Sequence, residues 1–336
     1  MIRRRKFITL LGGAAAWPLA ARAQQAERMQ RIGVLMAIAE NDPDAAPRVA
    51  ALEQRLQELG WAAGRNIRID YRWPASNTAG TAADFERIFH DARELVQAKP
   101  DVILATGTPL VAALKNETTS VPIVFVQLAD PVGSGIVPGL ARPGANITGF
   151  TNYEYSIGGK WLEMLKEVAP QVVRVMFIMN SRNAASRGFQ ESLASVAAPL
   201  QLQLTTADLN DASQLEGAIA AFARETNGGL LVQPDLITMV NRERVAALAV
   251  RHRLPAVYPF RAFALSGGLM SYGIDVPALY RQAAGYVDRI LRGEKPADLP
   301  VQQPTKFELV INLKTARSLG LEISPTLLAR ADEVIE

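Results

Sequence analysis

Short apolar runs of strand length alternate with amphipathic segments along this chain, and the series starts twice. No other feature restricts the possible folds as much. RIGVLMAI (31–38), DVILATG (101–107) and VPIVFVQ (121–127) are rich in branched residues and read as strands buried on both faces. NIRIDYRW (66–73) alternates like a half-covered strand. Between them, Val49, Leu52, Leu56 and Leu59 repeat at helical spacing with Gly60 as the stop, and a second helix over 85–98 ends at Lys99-Pro100. The pattern restarts with the stripe Ile157, Trp161, Met164, Leu165 and Val168. Strands follow at 174–180, 201–209, 228–235 and 255–260, separated by helices over 184–198, 212–225 and 236–252. A strand at 267–273, a helix over 278–292, a proline-containing connector (293–304), a strand at 306–312 and a short helix near 314–319 complete the chain. Two such series predict an α/β protein of two doubly wound parallel-sheet lobes. Open parallel sheets take ligands at the carboxyl ends of their strands, so two facing lobes enclose a cleft there.

The first residues follow a different logic. Arg3, Arg4, Arg5 and Lys6 precede an apolar stretch over 7–21, and Ala21-Arg22-Ala23 fits a small-x-small processing site. This is the layout of an export signal peptide over 1–23, with the cut after Ala23 and the mature chain in the periplasm. The stretch is shorter than the roughly 20 residues that span a bilayer. Arg4-Arg5-Lys6-Phe7-Ile8 resembles a twin-arginine signal, although the general secretory route reads such a peptide too. Removing 1–23 takes five basic residues, so Lys plus Arg becomes 36 − 5 = 31 against 33 acidic residues, and the net charge moves from +3 to −2. No basic patch for nucleic acid then remains to be explained.

The search for reaction chemistry finds little. The chain has no cysteine, which removes disulfides, thiolate metal sites and thiol nucleophiles together. Of its two histidines, His90 sits late in a helix and His252 at a helix end, neither with a spacing partner for a metal. No Gly-x-Ser-x-Gly elbow or phosphate-binding loop occurs. Gly133-Ser134-Gly135 fails the dinucleotide pattern because Pro138 holds its third glycine position. The expectation is no catalytic residue, no metal and no cofactor.

What remains are polar residues where strands end. Thr106, Gly107 and Thr108 end a strand and open a helix, an arrangement whose hydroxyls and backbone N–H groups suit a carboxylate. The plainer alternative is an N-cap by Thr108 ahead of Pro109. Glu40 follows the first strand and faces either cleft or solvent; Asn180 follows the first strand of the second series. Gln233 and Asp235 follow another strand, and Asp235 either holds a cationic group or caps the helix starting near Leu236. Tyr258, Phe260 and Tyr272 offer aromatic walls, or core packing.

Asp130-Pro131-Val132, then Pro143-Gly144 and Asn146-Ile147-Thr148-Gly149, resemble the hallmark of the ABC transporter substrate-binding proteins related to tryptophan and phenylalanine receptors. GGLMSYGID (267–275) and the stretch 283–321 extend the likeness over the mature chain. The resemblance implies a type I periplasmic binding-protein fold with three crossovers, near 146–152, 261–266 and 302–306. One lobe would then comprise 28–147 plus 266–303 and the other 148–265 plus 304–336. It implies a monomeric receptor that closes by a hinge on a small solute, an amino acid or small carboxylate, and delivers it to an inner-membrane permease. By the same resemblance Thr106, Gly107 and Thr108 take the ligand carboxylate and Asp235 its amino group. Gln127 and Asp130 stand beside the cleft, with Asn180 opposite. Two departures are visible. Asp235 is followed by Leu236, where amino-acid binders tend to have asparagine, and Arg182 lies near Asn180, which favours an acidic ligand. A periplasmic sensor for a membrane signalling partner would have the same sequence features; an exported α/β enzyme would need a nucleophile–base pair or metal cluster.

Overall fold

The computed structural model of the chain describes residues 28–74, 82–183, 185–209 and 211–336, the side chains of 82–85 excepted. The export segment expected over 1–23 lies outside these residues. Five strands make the first sheet: β1 (Gln30–Leu35), β2 (Ile67–Arg72), β3 (Val102–Thr106), β4 (Ile123–Leu128) and β5 (Ile147–Thr151). They are all parallel, in the order β2-β1-β3-β4-β5. β3 shows why this sheet must be covered twice. Val102 and Leu104 pack into one core cluster while Ile103 and Ala105 pack into another, all at 0% exposure. Such strands are apolar at every position because both faces are dry. Helices α1 (Ala45–Glu58), α2 (Ala82–Gln97) and α3 (Thr108–Glu117) belong to this lobe.

The second sheet repeats the plan. Its helices are α4 (Ile157–Val168), α5 (Ser186–Ala197), α6 (Gln214–Phe222), α7 (Leu236–Val240), α8 (Arg242–Arg251) and α9 (Arg261–Leu265). Strands β6 (Arg174–Met179), β7 (Gln203–Asp208), β8 (Gly228–Val232), β9 (Ala256–Tyr258) and β10 (Met270–Ile274) lie in the order β7-β6-β8-β9-β10. Relative to its own first strand, each lobe therefore has the order 2-1-3-4-5. β11 (Phe307–Asn312) joins β10 antiparallel, and β12 (Glu333–Ile335) extends the edge, so the second sheet is mixed rather than wholly parallel. Helices α10 (Val276–Leu291), α11 (Leu313–Leu319) and α12 (Pro325–Ala329) complete the chain.

The lobe boundaries expected from the sequence need two corrections. Residues 148–151 belong to β5 and pair with β4, so the first passage between lobes follows Thr151. Residues 266–274 belong to the second lobe, because β10 pairs with β9 on one side and β11 on the other. The turn through α9 is thus a crossover within the second lobe, and the chain returns to the first only after Ile274. There Asp275 caps α10 by accepting the Ala278 N–H at 3.0 Å. Leu279, Tyr280, Ala283, Ala284 and Val287 form the buried face of α10, which packs on the buried face of α1. The third passage runs from Gln302, bridged to Phe150, to the start of β11. The long helix expected over 236–252 breaks at Asn241, which separates α7 from α8.

Glu308, in β11, is buried beside Arg261 at 3.7 Å, and its Oε1 has no partner. Burial pushes its carboxyl up to about 7 from an ordinary 4.5, against the opposing pull of Arg261. A raised carboxyl favours the folded state fully below pH 4.5, and that contribution disappears as pH rises through 7. The group should remove about 2–3 kcal/mol of stability between pH 5 and 8. Glu308→Gln should flatten this dependence and be the more stable protein at pH 8, as urea unfolding of both proteins at the two pH values will show.

Candidate functional site

The two sheets face each other across a cavity of about 620 Å³. Its walls come from strand ends: Ile38 beyond β1, Thr106 at the end of β3, Asn180 beyond β6 and Asp235 beyond β8. In each sheet these are the two strands between which the winding reverses, where an open α/β sheet leaves its crevice. Two crevices thus meet in one site.

On the first wall, Gly107 holds φ +76 and is the N-cap of α3, a conformation that costs a residue without a Cβ little. The cap is Gly107 and not Thr108, the alternative considered from the sequence, and Thr108 and Pro109 are the first helical residues. Pro109 has no N–H, and the N–H groups of Thr108 and Leu110 precede the first helical bond, from Val111 to Gly107. No side chain caps this end. Thr106 is buried, and its hydroxyl meets the Tyr280 hydroxyl at 2.6 Å. Burial raises the Tyr280 phenol, which keeps it neutral. β4 slips register between Phe125 and Leu128, and Gln127 takes φ +57 there. That irregularity aims Gln127 into the cavity, where its Oε1 accepts from Arg48 Nη1 at 3.1 Å.

On the opposite wall, Asp235 caps α7. Its Oδ1 accepts the Ile237 N–H at 2.9 Å and its Oδ2 accepts from Asn183 at 3.0 Å, with Asn180 beside them. Burial raises its carboxyl nonetheless, partly offset by these three neighbours. Both roles considered for Asp235 are therefore compatible in space, since the cap also lines the cavity. Phe260, Met239 and Ile237 add apolar surface on this side. Beside the cavity an ion pair joins the lobes. Arg242 donates to both oxygens of Asp42 at 3.0 and 3.1 Å, and the two side chains are only 9% and 11% exposed.

Of the residues singled out in the sequence, Thr106, Gly107, Thr108, Gln127, Asn180, Arg182, Asp235 and Phe260 line the cavity. Five do not. Glu40 is exposed to solvent. Asp130 is occupied by the Gly133 N–H at 2.7 Å and the Tyr155 hydroxyl at 2.6 Å. Gln233 is wholly buried and accepts from Ser186 at 2.9 Å. Tyr258 is core, stacked on Phe263 at 4.9 Å between ring centres, and Tyr272 stacks on Phe307 at 5.7 Å. Arg48 was missed, as were Gly133 and Ser134. A signal for Arg48 existed: it shares a buried stripe with Leu52 and Leu56 at four-residue spacing, where a charge is out of place. His90, given no partner from the sequence, has Asp91 and Glu94 within 4.8 Å on an exposed face of α2; a surface trio of this kind alone defines no metal site.

Two doubly wound lobes with one cavity between their switch points make the type I periplasmic binding-protein fold. The sequence profile described as ABC transporter substrate binding protein matches residues 31–335, and the chain belongs to that family. It is a family of receptors, not enzymes. Among curated proteins the chain is similar to a tyrosine-binding protein of Clostridioides difficile (strain R20291), 28% identical over 267 residues, covering 80% of this chain and 74% of that one. Among solved structures it resembles a conserved domain protein of Vibrio cholerae at TM-score 0.82 and 28% identity, covering 91% of this chain and 100% of the other. It has the fold of a Streptococcus pneumonia ABC domain in complex with L-Trp, at TM-score 0.82, 23% identity and coverage of 91% and 99%. The ligand-free, open structure of a Clostridium difficile substrate binding protein with adhesive properties matches at 0.68 and 22%, covering 91% and 99%. Among the described residues no helix is long and apolar enough to cross a membrane.

Proposed function

We propose that this chain is the solute receptor of an ABC importer. It is exported to the periplasm with cleavage after Ala23, binds an amino acid or small carboxylate between its lobes as a monomer, closes by a hinge and delivers the solute to an inner-membrane permease. The observation that carries this reading is the cavity itself, with the uncapped N-terminus of α3 on one wall and Asp235 on the other. A helix N-terminus attracts a carboxylate, and a buried acid attracts a cation or a neutral donor. The three passages between lobes form the hinge. The higher TM-score against the L-Trp complex than against the open, ligand-free structure, 0.82 against 0.68 at nearly equal identity, supports a closed arrangement here.

Thermal melting of the mature protein against amino acids and carboxylates tests the proposal. A ligand at 100 times its dissociation constant stabilises by about 2.7 kcal/mol, a shift of several degrees. For an amino-acid ligand, Asp235→Ala should remove most of that shift while the ligand-free protein still folds; an acid without an ammonium group should keep it. Folded wild-type protein that responds to no member of either class refutes the reading.

A further inference from the structure

The charges and hydrogen-bonding groups of the cavity are unequal in a way that narrows the ligand; this step rests on the receptor reading above. Arg48 and Arg182 are the cationic residues of the lining, and Asp235 is the acidic one. Arg48 is 4% exposed. Its Nη1 is held by a neutral amide, Gln127, and the carboxylate nearest to it, Asp44, is 3.4 Å from Nη2, longer than a good charged hydrogen bond. A desolvated guanidinium so weakly matched calls for an anion.

The acceptors point the same way. An amino-acid ammonium presents three N–H donors. The Gln127 Oε1 is taken by Arg48, the Asn180 Oδ1 by the Arg182 N–H, and the Asn183 Oδ1 by the Ala185 N–H. Both oxygens of Asp235 are engaged by groups of its own lobe. The Asn152 Oδ1 has no partner, but it is sealed from open space. Donors, by contrast, are plentiful: the buried Arg48 guanidinium, the N–H groups of Thr108 and Leu110 and the solvent-exposed Arg182, while the hydroxyls of Thr108 and Ser134 can serve either way. Arg48 and Thr106 line the same cavity, and Thr106 closes the strand from which α3 starts. The rest of the lining is largely apolar, with Ile38, Leu110, Ile237, Met239 and Phe260.

We infer that the preferred ligand is an organic acid with an apolar body, a net charge of −1 and no ammonium group, its carboxylate shared by Arg48 and the N-terminus of α3. Arg48 is then the residue that sets specificity.

Calorimetric titration with matched pairs decides this: 3-phenylpropanoate against phenylalanine, 4-hydroxyphenylacetate against tyrosine, and 4-methylpentanoate against leucine. In at least one pair the acid should bind more than about tenfold more tightly than its amino-acid counterpart. Arg48→Gln should weaken that acid at least tenfold, and Arg48→Lys should restore part of the loss. An amino acid that binds as tightly as its matched acid overturns the inference while leaving the receptor reading intact. Unchanged acid affinity in folded Arg48→Gln overturns it as well. If Arg48→Gln does not fold, the matched pairs on the wild-type protein still separate the two ligand classes. Failure of every acid and every amino acid to bind overturns the inference together with the receptor reading.

Discussion

Asp42→Asn is expected to weaken ligand binding by about two to three orders of magnitude and to move the melting temperature of the ligand-free protein little. In this structure the Arg242 side chain is 9% exposed and its guanidinium spans both oxygens of Asp42 across the lobes. Removing one partner of a buried pair costs about 3–5 kcal/mol, mostly from the charge left unpaired. Asparagine keeps the shape but not the charge. When the lobes part as proposed, Arg242 returns to water and the penalty vanishes. The whole cost therefore falls on the closed state, and about 1.4 kcal/mol is a factor of ten in affinity. Asp42→Asn combined with Arg242→Gln should recover much of the loss, because no unpaired charge is then buried. Calorimetry on the two single variants and the double variant gives the coupling. Equal affinity of Asp42→Asn and wild type would mean that the pair does not report on closure.

Gly273→Ala should destabilise the protein by at least about 3 kcal/mol, enough to lower the soluble yield of a domain of ordinary stability. A Cβ at Gly273 would stand 1.8 Å from the Pro259 carbonyl oxygen and 2.9 Å from the Tyr153 hydroxyl. Tyr153 donates to that same carbonyl. No rotamer relieves an overlap with backbone, so β10 would have to leave β9, and β10 lies directly before the second passage between lobes. Gly285→Ala is the control. It lies in α10 with nothing within 4 Å of the added atom, and it should be neutral or gain up to about 1 kcal/mol. Urea unfolding and soluble yield compare the two.

Much of this architecture is legible in the chain because buried parallel strands are written as local apolar runs. β3, β4, β6 and β8 each stand out by themselves, and with them Thr106, Gln127, Asn180 and Asp235, which only have to follow a strand. Pairing between distant segments is not local. β10 reads as a strand, but nothing in GGLMSYG says that its neighbours are β9 and β11, and the boundaries implied by the family resemblance left it in the other lobe. β5 was hidden because the motif around Gly149 stands out as a family hallmark rather than as a strand. Arg48 was hidden by its neighbour. Periodicity placed Val49 on the buried face of α1, whereas Val49 is half-buried and Arg48 takes the inner position. Gly133 and Ser134 fit no cofactor motif, yet a cavity wall needs only small residues in the right place. Tyr258 and Tyr272 went the other way: aromatic residues near strand ends are as useful to a core as to a ligand.

The interleaving of the lobes has a consequence during synthesis. The buried face of α1, Leu52 and Leu56 with Arg48, is covered by α10, and from Glu58 to Val276 is 276 − 58 = 218 residues. At cellular rates of translation a nascent chain waits roughly 10–40 s between the two. In the later part of that interval, once Thr151 has been added, all five strands of the first sheet have been made, but one side of the sheet lacks its cover. The part made earliest is completed only after the five parallel strands of the second lobe, β6 to β10, have emerged. Any holding factor that accompanies the nascent chain is therefore needed longest by the segment that leaves the ribosome first.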